Sequence, residues 1–265
     1  MYNCIQLYIM HRICQEKFFR EKIFLVCGAE FLYTEGNRFT VCPLWGRSEG
    51  DEPIAYRVID KETMPRREQF DYFRAMAQPY VGITWELDIT DLRRRQKAEG
   101  WPFFLTMLYL AGQAANRVPQ LRQRIRGEDV VEYDCCDTSH TVATADGNFR
   151  YCRVRGGLPF REFLPLARAA HQAAQERPSL MEEEDEESLL FVSSLPWTPF
   201  TGLIQPTPSP ADSNPRITFG GYHWRGERLI LPVSLLANHA LVDGRHLAQF
   251  YQELEKATAE LLEQR

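Results

Sequence analysis

Hydrophobic positions fall into clear periods only after about Pro53. In "VGITWELDIT", Val81, Ile83, Trp85, Leu87 and Ile89 alternate with other residues, which predicts a strand with one buried face. Before it, "MPRREQFDYFRAMA" spaces Phe70, Phe73 and Met76 for a short helix after Pro65. After it, Thr90 is placed to cap a helix, "DLRRRQKAEG", which Gly100 ends. The length of "PFFLTMLYLAGQAANRV" and its lack of β-branched clusters predict an apolar helix. Strands follow around "DVVEYD", "HTVATA" and "NFRYCRV". The next helix, "FREFLPLARAAHQAAQER", sets Phe163, Leu166, Ala170 and Ala174 on one side.

In the last third, "LLFVSSLPW", "RITFGGYHW" and "RLILPVSLLA" read as strands, and "QPTPSPADSNP" as a proline-rich loop. A final helix from about Arg245 turns Leu247, Phe250, Tyr251, Leu254 and Leu261 inward. Helices and strands alternate without a regular βαβ rhythm. The expectation is an α/β chain of the α+β kind, a two-layer sandwich in which helices pack mainly on one face of a mixed sheet.

Residues 1–52 have a different texture. They hold four of the seven cysteines (Cys4, Cys14, Cys27, Cys42), and no clean period runs through them. "IFLVCGAEFLY" could be a strand but has no evident partner, and "PLWGRSEGDEP" reads as a linker. The chain therefore divides into an extension of unknown structure, 1–52, and a domain, 53–265. At 265 residues and 44% hydrophobic, there is enough apolar material for one sizeable core.

A net charge of −5 argues against a nucleic-acid face or an anionic membrane partner. The basic runs "RRRQKAEG" and "LRQRIRGED" are expected to be solvated surface, as is the acidic "MEEEDEES". No stretch near 18 residues is free of charge, and Arg12, Glu16, Lys17 and Arg20 interrupt any signal-peptide core, so the expected location is the cytoplasm. Cys135 and Cys136 are adjacent and no cysteine spacing suits a metal, which leaves free thiols and no metal site.

Candidate chemistry concentrates in "LILPVSLLANHALVDGRHLAQFYQELEKA". Leu229 to Leu236 are nearly all apolar, as in a strand buried on both faces. His239 lies at its exit, and Asp243-Gly244 open the last helix. A histidine here is either a hydrogen-bonded core residue or a general base, because its ordinary pKa lies close to neutral. Asp243 could orient it, cap the helix or pair with an arginine.

"NHALVDGRHLAQFYQEL" resembles the His-x-x-x-Asp-Gly signature of chloramphenicol acetyltransferases, which dihydrolipoyl acyltransferases and peptide-synthetase condensation domains share. "PRREQFDYF", "ELDIT", "FVSSLPWTPFT" and "RITFGGYHWRGERLILPVSL" are similar to further segments of the first family, in unbroken order from about 53 to 262. The resemblance implies an acetyl-CoA-dependent O-acetyltransferase, without a metal, acting on chloramphenicol or a similar small hydroxylated molecule. His239 falls on the general base, Ser193 on the serine that stabilises the oxyanion, and Thr218 on the threonine that holds a water there. Asp243 and Arg66 fall on a structural ion pair, Trp197 and Tyr222 on aromatics of the coenzyme tunnel, and Tyr72 and Phe73 on aromatics of the acceptor pocket. Ordinary core or interface aromatics remain the other reading of Trp197 and Tyr222.

The family is a homotrimer with active sites between subunits, so a homotrimer is implied. Asn238 stands where the family has its first histidine, Phe73 where the resistance enzymes have a tyrosine, and the 204–215 loop lacks their aromatics. These departures leave two other readings: an acyltransferase of the same fold with a different acceptor and no resistance role, or a non-catalytic CoA-binding trimer.

Overall fold

The computed structural model describes residues 54–145, 147–176 and 186–264, together with two earlier strands, β1 (Phe31–Thr34) and β2 (Arg38–Val41). Expectations for the rest of the N-terminal segment, and for the acidic run as far as Asp185, lie outside the described residues. In chain order there follow β3 (Tyr56–Ile59), α1 (Arg67–Arg74), β4 (Tyr80–Asp88), α2 (Thr90–Glu99), α3 (Phe103–Asn116), β5 (Gln123–Arg126) and β6 (Asp129–Tyr133). The second half has β7 (Asp137–Ala143), β8 (Phe149–Val154), α4 (Phe160–Glu176), β9 (Leu189–Leu195), β10 (Arg216–Gly220), β11 (His223–Arg225), β12 (Arg228–Asn238) and α5 (Gly244–Glu263).

The larger sheet has seven strands in the order β11-β12-β10-β9-β7-β8, with β4 on the other side of β12. β7, β9 and β10 run parallel and the remaining pairs antiparallel, so the sheet is mixed as the alternation of elements implied. A smaller antiparallel sheet runs β1-β2-β3-β6-β5. In it, "RFTV" supplies the partner that the first apolar strand lacked, and Phe39 pairs with Tyr56.

β12 is central, which explains its unbroken apolar run. Leu231, Val233 and Leu235 sit in one core with Leu247, Phe250 and Leu254 of α5. Pro232 is tolerated in this central strand because the pairing with β10 stops at Val233 and the pairing with β11 begins at Ile230, so no ladder bond to its nitrogen is required on that side. Tyr251 of α5 donates from its hydroxyl to the carbonyls of Ile83 (2.8 Å) and Val233 (3.0 Å), tying helix to sheet. The opposite face of the sheet carries the alternate residues Ser193, Thr218 and Ser234.

Four expectations are corrected. Thr90 does not cap α2: the helix starts at Thr90, and its hydroxyl bonds Asp88 and the Leu229 amide instead. Leu166 is 53% exposed, because α4 buries Phe160, Phe163 and Ala167, about a quarter of a turn round. Met76 lies beyond the end of α1 and is exposed. "LRQRIRGED" is no solvated surface but contains β5, where Arg124 is fully buried. Its guanidinium donates to the carbonyls of Leu121, Gln123, Glu187 and Leu189, and this set of acceptors is what makes the burial of a cation tolerable.

Candidate active site

β12 delivers His239 into a turn that three contacts hold. Its backbone N–H donates to the Pro79 carbonyl (2.6 Å), its Nδ1 lies 2.8 Å from the Val242 carbonyl oxygen, and its ring stacks on Phe73 with centroids 3.8 Å apart. A carbonyl oxygen only accepts, so Nδ1 carries the proton of the neutral ring and Nε2 keeps its lone pair. The imidazole is half-buried.

Arg66 staples the same turn from α1. It donates to the carbonyls of Leu241 (2.8 Å) and His239 (3.4 Å), and its Nε lies 3.3 Å from the Asp243 carboxylate. Asp243 caps α5 by accepting from the N–H groups of Arg245 and His246, while His246 Nδ1 accepts the Asp243 N–H. Burial opposes ionisation of Asp243, but His246, Arg66 and the two N–H donors outweigh it and hold its pKa below the usual value. Asp243 makes none of its bonds to His239, so it holds the loop rather than orients the imidazole.

Asn238 is buried and satisfied. Its Nδ2 donates to the Asp212 carbonyl (2.8 Å) and its Oδ1 accepts the Ala240 N–H (3.0 Å), an Asx turn that fixes the backbone beside His239. Asp212 in turn holds Arg216 through both carboxylate oxygens (2.8 and 2.6 Å) and accepts from the Tyr80 hydroxyl. Burial, then the carboxylate of Asp212, push Tyr80 up to about 12, so it stays a neutral donor.

Ser193 and Thr218 are direct neighbours on the parallel strands β9 and β10. Both line a cavity of about 370 Å³. Thr218 Oγ1 is buried with no hydrogen-bond partner among the described residues, an orphan polar atom beside that space. Just past the ends of the two strands come Trp197 and Tyr222, and the Gly221 N–H joins the two segments at the Thr198 carbonyl (2.8 Å). Trp197 is 85% exposed and Tyr222 43%, which removes the ordinary-core reading for both. Arg93 lies over the Tyr222 ring.

One chain does not bring these groups together. Thr218 pairs with Ser234, and His239 lies five residues further along β12, roughly 16 Å away at strand rise. His239, Phe73, Arg66 and Asp243 form one cluster, and Ser193 and Thr218 another. Tyr72 packs edge-on against Phe73 and is 65% exposed beside the first cluster.

A family profile described as chloramphenicol acetyltransferase matches residues 54–255. This chain belongs to the chloramphenicol acetyltransferase family. Chloramphenicol acetyltransferase 2 of Escherichia coli is 31% identical over 202 residues, covering 74% of this chain and 94% of that one. Chloramphenicol acetyltransferase 3 of Escherichia coli is 27% identical over 204 residues, covering 76% and 96%. A solved chloramphenicol acetyltransferase superposes with a TM-score of 0.71 at 31% identity, over 77% of this chain and 99% of that one. The dihydrolipoamide acetyltransferase of Azotobacter vinelandii shares the fold, with a TM-score of 0.54 at 19% identity over 73% of this chain and 86% of that one. The chain is accordingly an acyltransferase of the chloramphenicol acetyltransferase family, whose co-substrate is acetyl-CoA.

Among the described residues no cluster of His, Cys, Asp or Glu is arranged to hold a metal ion, and no helix is long and apolar enough to cross a membrane. Cys135 and Cys136 are free thiols, and burial pushes the Cys135 thiol up to about 12, leaving it unreactive. The sequence reading missed Gln205 and Arg216, which also line the cavity beside Ser193. A signal for Arg216 was available, since alternation in "RITF" puts it on the face of Thr218.

Proposed function

We propose that this chain transfers the acetyl group of acetyl-CoA to a hydroxyl of a small molecule, with His239 as general base. The observation that carries the reading is the Nδ1–H bond to the Val242 carbonyl, which leaves Nε2 free to take a proton. Nε2 removes the acceptor hydroxyl proton, and the oxygen attacks the thioester carbonyl. The Ser193 hydroxyl, with a water on the orphan Thr218 Oγ1, meets the oxyanion of the tetrahedral intermediate. Collapse expels the CoA thiolate, which recovers the proton from the imidazolium.

Trp197 and Tyr222 each lie two residues past the end of the strands that carry Ser193 and Thr218, where they would flank the coenzyme arm. Because His239 stands so far from Ser193 within one chain, a second copy supplies the base, and the assembly is a homotrimer with Tyr72 and Phe73 facing the acceptor. The named relatives make chloramphenicol the reference acceptor for an assay. The test is CoA release by purified protein across an acceptor panel, with His239→Ala as control. Loss of turnover in that variant supports the mechanism, and retained turnover sinks it.

A further inference from the structure

Strand alternation decides which side chains meet the cavity. Ile217 and Val192 turn into the helix-covered core, so Arg216, Thr218, Phe191 and Ser193 turn the other way, toward the cavity. Ser139 is paired with Phe191 across β7 and β9 and shares its face. Gln205 closes the space from the proline-rich loop, and its Nε2 is buried with no hydrogen-bond partner among the described residues. The wall is mixed: these polar groups stand among Tyr151, Leu189, Phe191 and Pro206, so the cavity offers apolar surface together with buried donors that need a polar partner.

We propose that the acceptor is a neutral, hydroxyl-rich small molecule held by the Gln205 amide and the Arg216 guanidinium; this rests on the acetyl-transfer reading above.

Three alternatives fail on chemistry. An apolar aromatic acceptor would leave the Gln205 amide and the uncommitted Arg216 donors facing hydrocarbon, each a desolvated group without a partner. A cationic acceptor finds no carboxylate along this wall among the described residues. An anionic acceptor finds Arg216 as the one charged side chain of the cavity, and Asp212 already neutralises it with two short bonds.

Hydroxyl groups answer the polar features of the wall, because each one both donates and accepts, and the C–H faces of a ring that carries them suit Phe191 and Tyr151. Arg216 spends three donors on Asp212 and the Asn214 carbonyl, which leaves its Nε–H and one Nη2–H for acceptor oxygens. The guanidinium is fixed by the rings of Tyr80 and Phe191, at 5.8 and 5.4 Å, so those two donors point in set directions. Arg216 is also tied through Asp212 to Asn238, so the acceptor-holding wall and the turn that presents His239 are one hydrogen-bonded unit. A cavity of about 370 Å³ suits a molecule of the size of a monosaccharide or cyclitol.

The experiment compares methyl glucoside and inositol with phenylpropanol and chloramphenicol, by CoA release and by calorimetric binding to the CoA-loaded protein. A kcat/KM at least about tenfold higher for the hydroxyl-rich probes is expected. Gln205→Leu, in a surface loop, should raise KM for those probes about tenfold and leave KM for acetyl-CoA where it was. A preference for phenylpropanol or chloramphenicol overturns the inference, and so does an unchanged KM in Gln205→Leu. Should the hydroxyl-rich probes bind in a Gln205-dependent way without releasing CoA, the acceptor class stands and the acetyl-transfer reading falls.

Discussion

The imidazole of His239 lies flat on the ring of Phe73, with centroids 3.8 Å apart and planes 13° from parallel. The ring therefore has a plate on one side and a carbonyl anchor at Nδ1, and together these aim Nε2. Phe73→Ala removes the plate and leaves only the anchor. The expected outcome is a kcat lower by roughly tenfold to a hundredfold, from a misaimed base, with KM for acetyl-CoA held. Phe73→Tyr keeps the plate and should keep most of kcat. Steady-state kinetics on the three proteins decide this, and an unchanged kcat in Phe73→Ala would mean that the Val242 bond positions the ring alone.

Arg66 serves two carbonyls and one carboxylate of the 239–243 turn. Arg66→Met keeps the apolar stem but strands all three acceptors. Asp243 retains its capping bonds and some solvent contact, so the loss of stability should be about 2 kcal/mol, less than for a fully buried pair. Arg66→Lys should recover only part of it, because one ammonium cannot reproduce the planar fork. Urea unfolding measures the stability, and kcat reports whether the turn has moved.

His140, His171 and His246 are held neutral in the fold. Burial lowers all three, His140 to about 3 with His171 adding to the effect. Below the ordinary histidine value of 6.5 the unfolded chain binds these protons and the folded chain does not. Stability is therefore full above 6.5 and falls with pH below it, and the His140 share keeps falling until about pH 3. Asp88 and Asp243, lowered from 3.8, and Glu86 and Glu260, lowered from 4.5, lose their contributions only below those values, so the interval from 4.5 to 6.5 isolates the histidines. Urea midpoints across it should slope downward toward acid, and His140→Gln should flatten the slope. A slope identical to that of the wild type would remove His140 from this account.

The part of the site that was legible in the sequence is the part made by neighbours along the chain. The apolar run of β12 placed His239 at a strand exit because a strand flanked on both sides has no polar face to show. Asp243 was legible as a cap for the same local reason. Asn238 looked anomalous because its meaning lies in Asp212, 26 residues away. Arg124 looked solvated because nothing in "LRQRIRGED" announces the four carbonyls that receive it. Thr90 looked like a cap, yet the Leu229 amide, 139 residues on, takes its hydroxyl. Gln205 and Arg216 went unread because a cavity wall assembles from three strands and a loop.

Separation within one chain makes a sharper demand on the assembly than similarity does. If His239 of one copy serves Ser193 of the next, two dead variants should repair each other. His239→Ala keeps Ser193 and lacks the base, and Ser193→Ala keeps the base and lacks the oxyanion donor, which is worth roughly 10² to 10³ in rate. Mixed by co-expression in equal amounts, random assortment places an intact histidine opposite an intact serine at about one quarter of the interfaces. The mixture should then show about one quarter of wild-type turnover, although each parent alone shows far less. Mixing the two purified parent proteins without subunit exchange should give no such gain. If co-expression yields no more than the average of the two parents, each site is built within one chain, and β12 would have to bend by more than its pairing with β4 and β10 allows.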